Sequence, residues 1–341
     1  MLMPPQTSGS IISPSNVNNI VGIKPTVGLT SRHMVVPVSE RADTIGPMTR
    51  SVKDAALLLQ VVAGRDSNDN YTSAIPFSST PDYVSACKMS GLRDKRIGIA
   101  RNALDGLAGA PPILDTFDTA VNVLRDAGAI IVDNANFTEL AELTSSPLRL
   151  TIMLADFNAA VPRYFTSLTT NPHNITSTAD LRAFTQAHPL EEYPARDTVV
   201  WDHIIPDNLD NTTPEFWSMV QKVRKLGDEG GLLGALRRDN LDAVILPSSI
   251  SSDLASVISA PVVTVPMGAW PEDTKVEYDD TREVVQRGPG VPIGLSFMGD
   301  LWSEEQLIGM AYAYEQRSQV RRKLKRVLQP RTELGDDLHC D

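Results

Sequence analysis

Arg96-Ile97-Gly98-Ile99-Ala100 and Ile130-Ile131-Val132 bracket the stretch whose reading decides the fold. The first run is short, β-branched and bounded by polar residues, which is strand composition. Between the two, from about Pro112 to Ala127, Leu114, Phe117, Val121 and Leu124 recur at helical spacing, and Gly128 stops the pattern. Strand, helix and strand with short links make a βαβ unit, so the chain is expected to be α/β with a parallel pair in its sheet.

Working outward, Ala243-Val244-Ile245-Leu246 and Val262-Val263-Thr264-Val265 are continuous apolar runs, each followed by a proline, and read as strands buried on both faces. Ile293-Gly294-Leu295-Ser296-Phe297 supplies a last strand. Ser51 with Asp54 forms a capping pattern ahead of a helix carrying Val52, Ala55, Ala56, Leu59 and Val62, ended by Gly64. Ser303-Glu304-Glu305-Gln306 is expected to cap a helix with Leu307, Met310, Ala311 and Tyr314 on one face. The basic cluster Arg321 to Arg326 is placed at the end of that helix, where cations favour the dipole. Residues 16–50 read as tight loops and short strands, 65–92 as a polar, irregular connection, 140–240 as mostly helical, and 267–290 as an exposed acidic loop.

The 341 residues are 42% hydrophobic and 21% charged, ordinary for a globular chain. A formal net charge of −11 argues against non-specific binding to nucleic acid or to an anionic membrane surface. Cys87 and Cys340 cannot make a disulfide framework, and His33, His173, His188, His203 and His339 have no metal-ligand spacing, so no metal site is expected. No apolar run approaches a membrane span, and no signal peptide is visible. Sequons at Asn70, Asn136, Asn174 and Asn211 are weak evidence for secretion, and the compartment stays open.

The chemistry is carried near the N-terminus. In Thr7-Ser8-Gly9-Ser10, small residues permit a tight turn that exposes a hydroxyl and aims main-chain N–H groups at a reacting carbonyl. Alone this signal is weak. It continues as Ser10-Ile11-Ile12-Ser13-Pro14-Ser15-Asn16, Gly22-Ile23-Lys24-Pro25-Thr26-Val27-Gly28, Ser31-Arg32 and Asp43-Thr44-Ile45-Gly46-Pro47-Met48-Thr49-Arg50. Leu241 to Ser248, Ala260 to Pro266 and Gly290 to Gly299 follow in order. In these segments the chain resembles the amidase signature family of serine hydrolases, over roughly residues 9 to 320. Residues 179–188 also resemble its fungal-type branch.

The resemblance implies a mixed, largely parallel sheet with helices on both faces. A single domain is expected over residues 1–320, incomplete at its N-terminus, with 321–341 a polar tail. It implies Ser10 as nucleophile and an oxyanion hole from the backbone N–H groups of Thr7, Ser8, Gly9 and Ser10, with no metal or organic cofactor and a small-molecule amide as substrate. Lys24 is read as structural, near the turn at Pro25, and Asp43 with Arg50 as an ion pair flanking the Gly46-Pro47 turn. Ser13, Ser15 and Ser31 are assigned to turns. Family members activate the nucleophile with a lysine acting through a bridging serine, both upstream. Met-Leu-Met-Pro-Pro-Gln-Thr-Ser-Gly precedes Ser10 and holds no lysine, so the chain as given is expected to be truncated, inactive and open at one sheet edge. The alternatives are a non-catalytic binding or regulatory protein that keeps the fold, and a tRNA-modifying amidotransferase relative, which the acidic charge disfavours.

Overall fold

The structure, a computed structural model, describes residues 5–7, 9–207, 209–278 and 284–325. Its strands are β1 (Pro5–Gln6), β2 (Val21–Lys24), β3 (Thr44–Ile45), β4 (Met48–Thr49), β5 (Arg96–Ile99), β6 (Ile130–Val132), β7 (Ala243–Pro247), β8 (Val262–Ala269), β9 (Glu277–Tyr278), β10 (Val285–Arg287) and β11 (Pro292–Met298). Seven form the central sheet, in the order β4-β2-β8-β11-β7-β5-β6. The predicted βαβ unit is present: β5 pairs in parallel with β6 and with β7, and the helix Pro111–Asp126 makes the crossover.

Four further pairings are antiparallel, β7 with β11, β11 with β8, β8 with β2 and β2 with β4. Following them across the sheet, β4, β5, β6, β7 and β8 run one way, and β2 and β11 are inserted against them. The sheet is therefore mixed and largely parallel in strand direction, as expected. Parallel neighbours are confined to its β7-β5-β6 end.

Helices cover both faces, and β11 shows how. Phe297 packs edge-on against Tyr314 of the helix Glu304–Ser318, ring centroids 6.3 Å apart. The adjacent Ser296 points the other way and bonds to Ser248 and Ser251 of the helix Ser248–Ser256, as the two-residue strand repeat requires. β7 is buried along its whole length and β8 over its first six residues, matching the apolar runs. A smaller apolar cluster, Ile152, Ala155, Phe216 and Val223, holds the helices Leu148–Ser167 and Pro214–Asp228 together.

Several local expectations are corrected. Ser51 does cap the helix Val52–Val62 by accepting from the Asp54 N–H, but Ser303 makes no such bond. Its hydroxyl donates to the Asp300 carbonyl instead, so Glu304–Ser318 starts without a side-chain cap. That helix is buried nearly all round rather than on one face. It ends at Gln319, in the left-handed conformation at φ 50°, and Arg321 to Lys323 lie on a separate short helix, Val320–Lys323. Ser13 and Ser15 fall in the helix Ile12–Val17, while Ser31 donates to Asp66. Within 267–290, β9 and β10 form an exposed ribbon. Asp43 and Arg50 do not pair: Asp43 accepts from Thr7, Val38 and Ser39, and Arg50 is exposed without an ion pair among the described residues. Burial draws Asp43 toward nearby backbone donors, whereas Arg50 gains full hydration where it stands.

Two glycines of the N-terminal motifs have a steric reason. A Cβ at Gly46 would lie 1.9 Å from the Ile23 carbonyl oxygen, because the Gly46-Pro47 turn crosses directly over β2. Gly28 sits at φ 93°, and its Cβ would meet the Tyr71 carbonyl at 2.5 Å. Gly46→Ala is expected to destabilise the chain by about 3 kcal/mol, at the upper end for forced overpacking, read as a lowered midpoint in urea unfolding.

Candidate active site

The turn bearing Ser10 is short and held from both sides. Ahead of it, β1 pairs with β3. Behind it, Ser13 N–H donates to the Gly9 carbonyl at 2.7 Å and starts the helix Ile12–Val17. Ile11 and Ile12 are fully buried, so they anchor the helix start, and Ser10 beside them is left exposed. Its hydroxyl, and the main-chain N–H groups of Gly9 and Ser10, donate to no other group among the described residues. Thr7 precedes the turn and donates to Asp43 at 2.6 Å. Ser8 lies outside the described residues. Burial holds the Asp43 carboxyl above its ordinary range, opposed by its bonds from Thr7, Val38 and Ser39.

Beneath the turn, residues from the three motifs between 241 and 299 meet. Ser248 bonds to Thr264 at 2.6 Å and to Ser296 at 2.9 Å, and Ser251 reaches Ser296 at 2.8 Å. Asn16 closes the set by accepting from the Gly294 N–H at 2.6 Å. A Cβ at Gly294 would fall within 3.1 Å of Ser248, Thr264 and Asn16 at once. Buried hydroxyls are stable only when partnered, and here each supplies the other's partner.

A cavity of about 560 Å³ opens at Thr7, just ahead of the turn, and Gly9 and Ser10 are not among its lining residues. Thr7, Thr26 and the segment Ser39 to Ala42 form one end. Ile152 and Met153 of one helix, Trp217, Val220 and Val223 of another, and Ser256 to Ser259 form the walls. The volume and the mostly apolar lining suit a small molecule. Sequence reasoning did not find these walls, because they come from helices brought together only by the tertiary fold. Arg41 is fixed at the Thr7 end: it pairs with the buried Asp156 at 2.8 Å and lies over the Trp217 ring at 4.8 Å. Asp156 also accepts from Ser39 and from Asn211, which is buried and so poorly placed to carry a glycan.

Lys24 and Glu304 are both wholly buried at the far side of the loop that carries Thr26. Lys24 Nζ donates to the carbonyls of Pro25 at 3.0 Å and Ala260 at 2.7 Å, in keeping with its structural reading near that turn. Glu304 accepts from the Thr26 N–H at 2.6 Å, and Thr26 in turn accepts from the Trp302 N–H at 2.9 Å. Desolvation lowers the Lys24 pKa to about 7, against the opposing pull of Glu304, whose own carboxyl is raised chiefly by burial. Among the described residues, no group of His, Cys, Asp and Glu could hold a metal, and no helix is long and apolar enough to cross a membrane.

With this geometry in hand, comparison with known proteins is direct. The amidase family profile matches residues 6–308, and the chain belongs to that family. It is 56% identical to an amidase-family protein of Arthroderma benhamiae over 329 residues, covering 96% of this chain and 55% of that protein. The crystal structure of peptide amidase from Stenotrophomonas maltophilia superimposes with a TM-score of 0.80 at 34% identity, covering 96% of this chain and 64% of that one. A glutamyl-tRNA(Gln) amidotransferase polypeptide of Gloeobacter violaceus is 27% identical, with 91% of this chain and 62% of that one aligned. The chain thus spans less than two thirds of the length of these relatives.

The buried lysine has a signed consequence. Lys24 is held near 7 when folded against 10.5 when free, so between those values the unfolded chain binds more protons and stability rises with pH. Denaturant unfolding at pH 7 and pH 9 is expected to show this gain in the native sequence relative to Lys24→Met, with the difference growing toward pH 9.

Proposed function

We propose that this chain is an amidase-type hydrolase that cleaves a carboxamide C–N bond through an acyl-enzyme on Ser10. The supporting observation is the exposed Ser10 hydroxyl on a turn whose Gly9 and Ser10 N–H groups are uncommitted, three residues after Thr7, which lines a cavity of small-molecule size. Ser10 Oγ would attack the amide carbon, and the Thr7, Ser8, Gly9 and Ser10 N–H groups would meet the oxygen as it gains charge. The C–N bond then breaks, the amine leaves with a proton, and water releases the acid from the ester.

Ser10 needs a base, and among the described residues none is bonded to it. Lys24, whose pKa is lowered toward neutrality, is tied to two carbonyls instead. Without an activating partner, a serine hydrolase loses on the order of a millionfold in kcat. The 341-residue chain by itself is therefore expected to be nearly inactive. The same observation favours a second reading, a binding or regulatory protein that keeps the amidase fold.

Chemical rescue separates the two. Added imidazole supplies a base, so hydrolysis of an activated anilide should rise with imidazole concentration in the native chain and stay at background in Ser10→Ala. An imidazole response equal in both proteins, with ligand binding intact, would leave the binding role standing and remove the hydrolase.

A further inference from the structure

The cavity is polarised end to end. On the helix Pro214–Asp228, Trp217, Val220 and Arg224 line it at helical spacing and make one continuous stripe. Seven residues separate Trp217 from Arg224, about 10 Å along the axis. The helix Leu148–Ser167 runs antiparallel beside it, since Glu142, just ahead of that helix, pairs with Lys222 at 2.7 Å. Its Asp156 binds Arg41 at the Thr7 end, while Arg149, two turns earlier, lines the opposite end with Arg224.

The cations at the two ends differ. Arg41 is neutralised by Asp156, and Arg149 is paired with Asp253 at 2.7 Å. Arg224 makes no ion pair or hydrogen bond among the described residues. Arg224 is exposed at the open end of a mostly apolar cavity, so its unpaired guanidinium is a source of positive potential there in a chain whose net charge is −11. Guanidinium matches carboxylate in a two-pronged geometry.

We propose that the cavity selects amides with an apolar body about 10 Å long that ends in a carboxylate. The amide lies at the Thr7 end, the body along Trp217 and Val220, and the carboxylate on Arg224 with Arg149 behind it. This assignment rests on the amide-hydrolase reading for the placement of the amide, and Arg224 is the residue that sets specificity.

Titration calorimetry on the 341-residue chain tests it without any turnover, with suberic acid monoamide and its methyl ester as probes. The acid should bind about tenfold more tightly than the ester, the scale of a charge-assisted hydrogen bond. The preference should fall as salt rises. Arg224→Met should abolish it, Arg224→Lys should keep part of it, and Trp217→Ala should weaken both probes alike. Far-UV circular dichroism establishes that each variant is folded. Equal binding of acid and ester, no binding of either, or a preference unchanged in Arg224→Met would overturn the proposal. Selective binding without Ser10-dependent rescue would remove the hydrolase and leave the carboxylate site at Arg224 intact, while rescue without selectivity would do the reverse.

Discussion

Ser248, a hydroxyl at the end of β7, holds the site together by bonding across two neighbouring strands at once. Its partners Thr264 and Ser296 sit opposite each other on β8 and β11, so one buried oxygen fixes the seat on which the helix Ile12–Val17 rests. Each hydroxyl is satisfied only while the others stay in place, which makes the arrangement cooperative. Gly294 brings its N–H to Asn16 because no side chain stands between them. Through that contact, the geometry of the Ser10 turn depends on residues nearly three hundred positions away in the chain.

The second constraint is electrostatic. Lys24 and Glu304 are both removed from water, which is costly unless their polar atoms are partnered. Lys24 takes two carbonyls, and Glu304 takes the Thr26 N–H with one carboxylate oxygen while its Oε2 is buried without a hydrogen-bond partner among the described residues. The loop between them is thereby clamped, and Thr26 and Trp302 are presented to the cavity. A lysine with a pKa near neutrality invites a catalytic reading. Its bonds to Pro25 and Ala260 argue for a brace instead.

Local elements were legible in the sequence wherever one period or one cap decides the matter. The crossover helix, β5, β6 and the double-buried β7 and β8 all follow from spacing, and the Ser51 cap follows from a residue pair three apart. Motif order also located the Ser10 turn. Contacts that depend on distant chain segments were not legible. The Ser303 pattern matches that of Ser51, yet Ser303 adopts φ −93°, ψ 17° and turns its hydroxyl to Asp300. Asp43 and Arg50 look like a pair along the chain, but Asp43 is captured by Thr7 and two backbone donors first. The cavity walls come from two amphipathic helices whose mutual register no local pattern encodes.

β2 zips onto β8, with Lys24 opposite Val262, although the two strands lie far apart in the chain. A ribosome delivers β2 long before β8, and pairings of such span form slowly. Until then Val21 and Ile23, fully covered in the finished sheet, stay open to solvent and to other nascent strands. The serine turn is thus made well before β8, the strand on which its scaffold closes. Completion of this fold waits on the segment that begins at residue 262, and a chain that stalls before it has the Ser10 turn without the strand that helps to seat it.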